Sequence, residues 1–184
     1  MNDAAFDRRT FLAVAGASYL GLPRLSPGPR TLQQAIRGPV FTRGSRGFAA
    51  AAHVFNERYD RVLPRAVGRP LDTADVQAAV RWAASHGVSV RARSGGHSYA
   101  GYSTLRDGVV LDLRDISGIS FDRRHGTATI GAGAQLIDVY AALNRLGATI
   151  PAGTCPSVGI AGVTLGGGIG LAGRAFGLTA DNLV

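Results

Sequence analysis

Short helical patterns alternate with short strand patterns along this chain, which predicts a protein of the α/β or α+β class. Three observations carry the prediction. Asp72 to His86 has the apolar spacing of one amphipathic helix; Val88–Arg93, Gly108–Leu113 and Thr127–Ile130 read as short strands; and two glycine-rich loops, Arg93–Gly101 and Pro151–Gly173, sit among them. The length of 184 residues and the hydrophobic fraction of 46% suit a globular domain with a core. The 26 glycines follow no Gly-X-Y period and gather in the two loops, so they read as backbone punctuation and not as a fibrous repeat.

The elements can be taken in order. Asp7 to Ala13 reads DRRTFLA and is followed by an apolar, Ala-rich run to about Leu22, then Pro23, Pro27 and Pro29. Residues 1–30 therefore resemble a twin-arginine export signal, with Asp7 where the pattern usually carries Ser or Thr and Ala13 where it often carries Lys; an ordinary amphipathic first helix is the alternative. The apolar run is shorter than the about 20 residues a membrane-spanning helix needs, so no stable insertion is expected. A twin-arginine signal implies export to the periplasm or the exterior, and because that route carries folded proteins, often with cofactor loaded, it hints at a cofactor. Residues 31–54 form a lead-in of two short helices, and Phe55–Arg65 an irregular entry to the domain.

Asp72 then stands as the N-cap of the clearest helix, with Asp75 at its third position and a face of Val76, Ala79, Val80 and Ala83. The strand from Val88 to Arg93 feeds the first glycine loop. Gly108–Leu113, GVVLDL, is the second strand, Asp122–Arg124 a turn, and Thr127–Ile130 the third strand. Gly131 and Gly133 precede a helix from about Gln135 to Leu146, with a face of Leu136, Val139, Tyr140, Leu143 and Leu146 and Gly147 closing it. A composition break near residue 117 divides two subdomains. Asp181–Val184 reads as the start of a further element, so the chain is expected to be the amino-terminal part of a longer protein.

The net charge of +8 raises a nucleic-acid reading, but residues 70–184, which hold both loops, carry nine Arg against eight acids. All 20 basic residues are Arg, and neither a basic stripe with interleaved aromatics nor a recognition-helix pattern is present, so an Arg-rich nucleic-acid binder is the weakest reading. His53, His86, His97, His125 and Cys155 show no metal-ligand spacing.

Gly95 and Gly96 leave amide groups unshielded, Ser94 and Ser98 add hydroxyls and Arg93 adds charge, a combination suited to a pyrophosphate; a tight turn bearing a surface His97 is the bland alternative. In the second loop Gly168, Gly170 and Gly173 spell GxGxxG, but Gly159 and Gly162 interrupt the segment where a Rossmann strand should lie, and no GK[ST] follows. Cys155 with His97 as base would suit a hydrolase, although no third, orienting residue is evident.

Phe55 to Val184 resembles the FAD-binding domain of the vanillyl-alcohol oxidase (PCMH) type, in its berberine-bridge-like and oligosaccharide-oxidase branch. The resemblance rests on Asp75-Val76, RSGGHSYAG, VVLDL, GAGAQL, PAGTCPSVGIAGVTLGGGIG and FGLTADNL, in that order. It implies an α+β fold of two α/β subdomains, incomplete at the carboxy terminus, over residues 55–184. It further implies FAD bonded at its 8α carbon to His97 and at C6 to Cys155, with Arg93, Ser94, Gly95, Gly96 and Ser98 around the pyrophosphate. Val158, Gly159, Ile160, Gly162, Gly166 and Gly167 are placed along the cofactor, Tyr99 in the substrate pocket, and the small Val158 where dioxygen enters. The implied activity is oxidation of a small alcohol, sugar-like molecule or secondary metabolite by hydride transfer to FAD, with electrons returned to dioxygen. The catalytic base would lie beyond Val184, leaving these residues inactive alone. A flavin-binding module without turnover would share the same motifs.

Overall fold

The computed structural model describes residues 31–184, and the twin-arginine-like segment lies outside the described residues. Its centre is strand β4, defined below, whose four residues are all buried. In chain order come α1 (Leu32–Ala35), β1 (Val40–Thr42), α2 (Phe48–Ala52), β2 (Ala66–Gly68), α3 (Thr73–Ser85), β3 (Val90–Arg93) and β4 (Val109–Asp112). The four strands form one sheet in the order β1-β2-β4-β3. Both neighbours of β4 run parallel to it, with Val110 opposite Val67 on one side and Arg91 on the other, while β1 pairs antiparallel with β2. A parallel strand covered on both faces reads as a continuous apolar run, which is why GVVLDL does not alternate.

Side chains leave β4 on alternate faces, and each face has its own cover. Val109 and Leu111 pack with Leu32 and Ile36 at α1 and with Ala79 of α3. Val110 and Val67 pack with Phe48 and Ala52 of α2. The two short helices expected in residues 31–54 are present, and between them lies β1, which no sequence pattern announced. β2 was also hidden, because three residues between Pro64 and Pro70 are too few to show a period.

Helix α3 starts where its cap predicts: the Asp72 carboxylate accepts the Asp75 amide at 3.0 Å. The buried face is rotated from the expected one. Val80 is 50% exposed, and Asp75 joins Ala79 and Ala83 in the interior. A buried carboxylate needs partners, and Asp75 accepts from Leu71 N at 3.0 Å, Gly38 N at 3.2 Å, and Arg37 through both N at 3.2 Å and Nε at 3.0 Å. It thereby ties the end of α1 to the start of α3.

After residue 117 the strands become an antiparallel hairpin, β5 (Ile119–Asp122) with β6 (Thr127–Ile130). The expected turn at Asp122 is held by its carboxylate, which accepts the amides of Arg124 and His125. β5 went unseen because ISFD was absorbed into the approach to that turn. Helix α4 (Leu136–Asn144) buries Leu136, Val139 and Leu143 with Ala134, Ala152 and Ile160, and Ile119, Phe121 and Ile130 of the hairpin pack against them. It ends two residues before Leu146, which lies outside the helix and is exposed. Two short helices, α5 (Ile160–Leu165) and α6 (Gly173–Phe176), follow. Parallel sheet, hairpin and helices together make the mixed α+β fold. No described helix is long and apolar enough to cross a membrane.

Burial opposes the charge on Asp75, but the donors from Leu71, Arg37 and Gly38 outweigh it and lower its pKa from 3.8 to about 2. The stabilisation is complete above pH 3.8 and disappears as the pH falls through about 2. Asp75→Asn should cost about 2 kcal/mol in urea unfolding at neutral pH and flatten the loss of stability across that acid window.

Candidate functional site

Strand β3 delivers the first loop. At its end Arg93 is 3% exposed, with its guanidinium bound to the Asp112 carboxylate at 2.8 Å and to the carbonyls of Ala51, Ala52 and His53. Asp112 is fully buried and also bonds Arg114 Nε at 2.8 Å. The charge of Arg93 is thus paired inside the protein, where it fixes the end of β3 to β4 and α2. Ser94 is committed in the same way, its hydroxyl donating to Ala132 O at 2.6 Å. The loop's binding capacity lies in its backbone. None of the N–H groups from Ser94 to Tyr99 meets an acceptor among the described residues, and Gly96, at φ +76°, turns the chain as only glycine does comfortably. Successive free amides of this kind form a concavity for an anion.

The second loop is positioned by α4. Gln135 provides no side-chain cap, and the first amides of the helix instead donate to loop carbonyls, Leu136 N to Val158 O at 2.9 Å and Ile137 N to Pro156 O at 3.0 Å. The two loops then meet backbone to backbone. A Cβ on Gly95 would lie 2.2 Å from Gly159 N, and one on Gly159 would lie 2.1 Å from Gly95 N and 2.0 Å from Ser94 Oγ.

Between the loops lies a cleft of about 980 Å³. Of the residues expected at the site, Arg93, Ser94, Gly95, Gly96, His97, Ser98, Tyr99, Cys155, Val158, Gly159, Gly162 and Gly166 line it. Ile160 and Gly167 do not. Ile160 is buried in the core beside Leu136, and Gly167, at φ +96°, lies just beyond the end of α5. The His97 ring stacks on Phe55 with centroids 4.0 Å apart and planes at 19°, and its Nε2 is 3.0 Å from Ser157 Oγ. Burial lowers the His97 pKa and favours the neutral imidazole. Cys155 is a free, exposed thiol on the same cleft. Tyr99 is 85% exposed, and Tyr59 Oη donates to its carbonyl at 3.0 Å.

Sequence reasoning missed Phe55 and Ser157. Ser157 stands two residues after Cys155, inside a segment already singled out, but a serine carries no signal until its partner is known. A second hollow, of about 510 Å³, lies beside β6 and α5 and has no charged side chain, histidine or cysteine on its walls.

Gly162 gives an independent indication of a ligand. It lines the cleft in the interior of α5, where glycine costs about 1 kcal/mol relative to alanine, yet a Cβ there would meet nothing within 4 Å. Packing among the described residues does not require this glycine. Together with the free amides and the apolar walls of Phe55, Leu113, Val163 and Leu165, it leaves room for a flat ring system carrying an anionic group. The residues present therefore fit a flavin dinucleotide.

Residues 64–184 match the FAD binding domain family. The chain is 40% identical over 152 residues to the uncharacterised FAD-linked oxidoreductase YgaK of Bacillus subtilis, covering 81% of this chain and 33% of that protein. The solved structure of BBE-like 1 from Physcomitrella patens superposes with a TM-score of 0.79 at 41% identity, covering 83% of this chain and 34% of that one. Xylooligosaccharide oxidase from Myceliophthora thermophila, solved with xylobiose, gives a TM-score of 0.74 at 34% identity over 82% of this chain and 32% of that one. The chain thus spans about a third of the length of its relatives.

The glycines separate into two kinds that mutation distinguishes. Gly95→Ala should lose about 3 kcal/mol of stability in denaturant unfolding, since overpacking against backbone cannot relax. Gly162→Ala should leave the apoprotein as stable or up to about 1 kcal/mol more stable while weakening FAD binding in equilibrium dialysis.

Proposed function

Starting from a chain that belongs to the FAD-binding domain family, in its berberine-bridge-like and oligosaccharide-oxidase branch, we propose that the protein oxidises a small molecule with FAD bonded to both His97 and Cys155. An imidazole and a thiol, nucleophiles of different kinds from loops some sixty residues apart, line one cleft, and this observation carries the reading. The substrate is an alcohol, a sugar-like molecule or a related secondary metabolite. Bound FAD would supply the hydride acceptor and the means of passing electrons to dioxygen.

The chain's own residues hold and prepare the site. The amides of Gly95, Gly96 and Ser98 would receive the pyrophosphate, with Ser94 and Arg93 supporting the loop from behind. Gly159, Gly162 and Gly166 offer a bare track along the opposite wall, with Val163 and Leu165 as apolar side chains beside it. His97 keeps a lone pair at neutral pH because burial disfavours its charged form. Cys155 reacts as thiolate from an accessible position. Bonds from His97 and Cys155 would each remove a route of cofactor loss and would draw electron density from the ring, favouring hydride uptake. Val158 is small enough to leave dioxygen a path to the cleft, and Tyr99 stands beside His97 where a substrate would stack. Residues 1–30 would direct export of the folded protein by the twin-arginine route.

Acid precipitation of the whole protein should give a yellow pellet. Flavin should remain covalent in the single variants His97→Ala and Cys155→Ala, through the surviving bond, and wash out of the double variant. A colourless wild-type pellet from riboflavin-sufficient cells would contradict covalent attachment, and slow reoxidation of the reduced protein in air would contradict the oxidase.

A further inference from the structure

Within the reading that His97 bonds FAD, on which this inference rests, we propose that Ser157 is the positioning residue that selects which imidazole nitrogen reacts. Its hydroxyl accepts the Nε2–H of His97, so the ring is held as the tautomer whose lone pair is on Nδ1. The observation is the 3.0 Å contact between Nε2 and Ser157 Oγ, the one hydrogen bond of the His97 ring among the described residues. No carboxylate or carbonyl among the described residues competes for the ring, and the hydroxyl, which can donate or accept, holds this tautomer when its own hydrogen is turned away from Nε2.

The serine is well placed to hold a proton at a fixed point. Its carbonyl would lie 2.7 Å from a Cβ on Gly95, so its backbone is pinned at the crossing of the two loops. The next residue donates Val158 N to Cys155 O at 3.3 Å, closing a tight turn around it. Phe55 meanwhile stacks on the imidazole and fixes the plane of the ring. Stacking leaves two orientations related by a flip, and the hydroxyl chooses between them. Were Ser157 to donate to Nε2 instead, Nδ1 would carry the hydrogen and neither nitrogen would offer a free lone pair.

The bond-forming step balances as follows. A C–H bond at the 8α carbon would break first, its hydrogen leaving as a proton to solvent and its electron pair staying in the ring system, and the Nδ1 lone pair would then form the bond to that carbon, leaving the ring system reduced by two electrons. The Nε2 proton departs past Ser157 Oγ to solvent. Dioxygen takes the two electrons and two protons as hydrogen peroxide, restoring the oxidised cofactor bonded to neutral imidazole.

The test uses the whole protein carrying Cys155→Ala, so that any acid-stable flavin reports His97 alone. Apoprotein from riboflavin-limited cells is given FAD; the rate of acid-stable flavin formation is followed, and the attachment nitrogen is read by NMR of the flavopeptide. Attachment should be entirely at Nδ1 in this parent and with Ser157→Thr. Ser157→Ala should slow it about tenfold, the lower end of what losing an orienting partner of a histidine costs, and yield both isomers. An unchanged rate with Nδ1 alone in Ser157→Ala, or attachment through Nε2 in the parent, overturns the proposal. A Ser157→Ala protein that no longer binds FAD assigns the serine to the fold and likewise overturns it. A parent that binds FAD with no acid-stable flavin removes the covalent reading at His97 itself, a different failure from the two isomer outcomes.

Discussion

Two backbones pass each other at Gly95 and Gly159 at a distance that excludes any Cβ, and the rest of the site depends on that crossing. It joins the end of the parallel sheet to the loop that caps α4, the helix on which the β5–β6 hairpin packs. It also sets His97 and Cys155 on one cleft, although their loops belong to different layers of the fold. The cost is borne by glycine, whose conformational freedom in the unfolded chain makes it expensive to order. That cost gives a cleft lined by bare glycine backbone from both loops, at Gly95 and Gly96 on one side and Gly159, Gly162 and Gly166 on the other, between apolar side chains.

The electrostatics follow from the same arrangement. A buried Arg93–Asp112 pair, shared with Arg114, sits at the end of β3 and β4 directly behind the first loop. Isolating such charges from water is expensive, and the pair persists because carbonyls from α2 satisfy the remaining guanidinium donors. Its contribution is rigidity: the loop leaves a strand whose last residue is held by β4 and α2. The amides from Ser94 to Tyr99 are left as donors without an acceptor among the described residues, and burial holds His97 toward the neutral imidazole.

Much of this was legible before the structure. Helix α3 was placed within one residue at each end because Asp72 caps it and apolar residues repeat at helical spacing, and GVVLDL announced a strand, which the structure buries on both faces. The two loops and their nucleophiles stood out because glycine density and a lone cysteine are visible in one dimension. The FAD-binding domain family followed from motifs in order. β2 and β5 were hidden because three or four residues beside Pro or Asp carry too little periodicity. Val80 was misplaced because Asp75, charged yet buried, takes its share of the interior face once Arg37 and three amides satisfy it. The pairing of Arg93 with Asp112 was not legible because a sequence shows a charge without showing what neutralises it. Ser157 and Phe55 were invisible for a related reason, since each matters only through a ring from a distant loop.

The central claim is that one cofactor bridges these two loops. Cleavage after arginine releases residues 94–106, which contain His97, and residues 146–174, which contain Cys155. Mass spectrometry of the digested whole protein should find the two peptides as one cross-linked species heavier than their sum by one flavin. Recovery of both peptides free and unmodified from a protein that bound FAD would contradict the account.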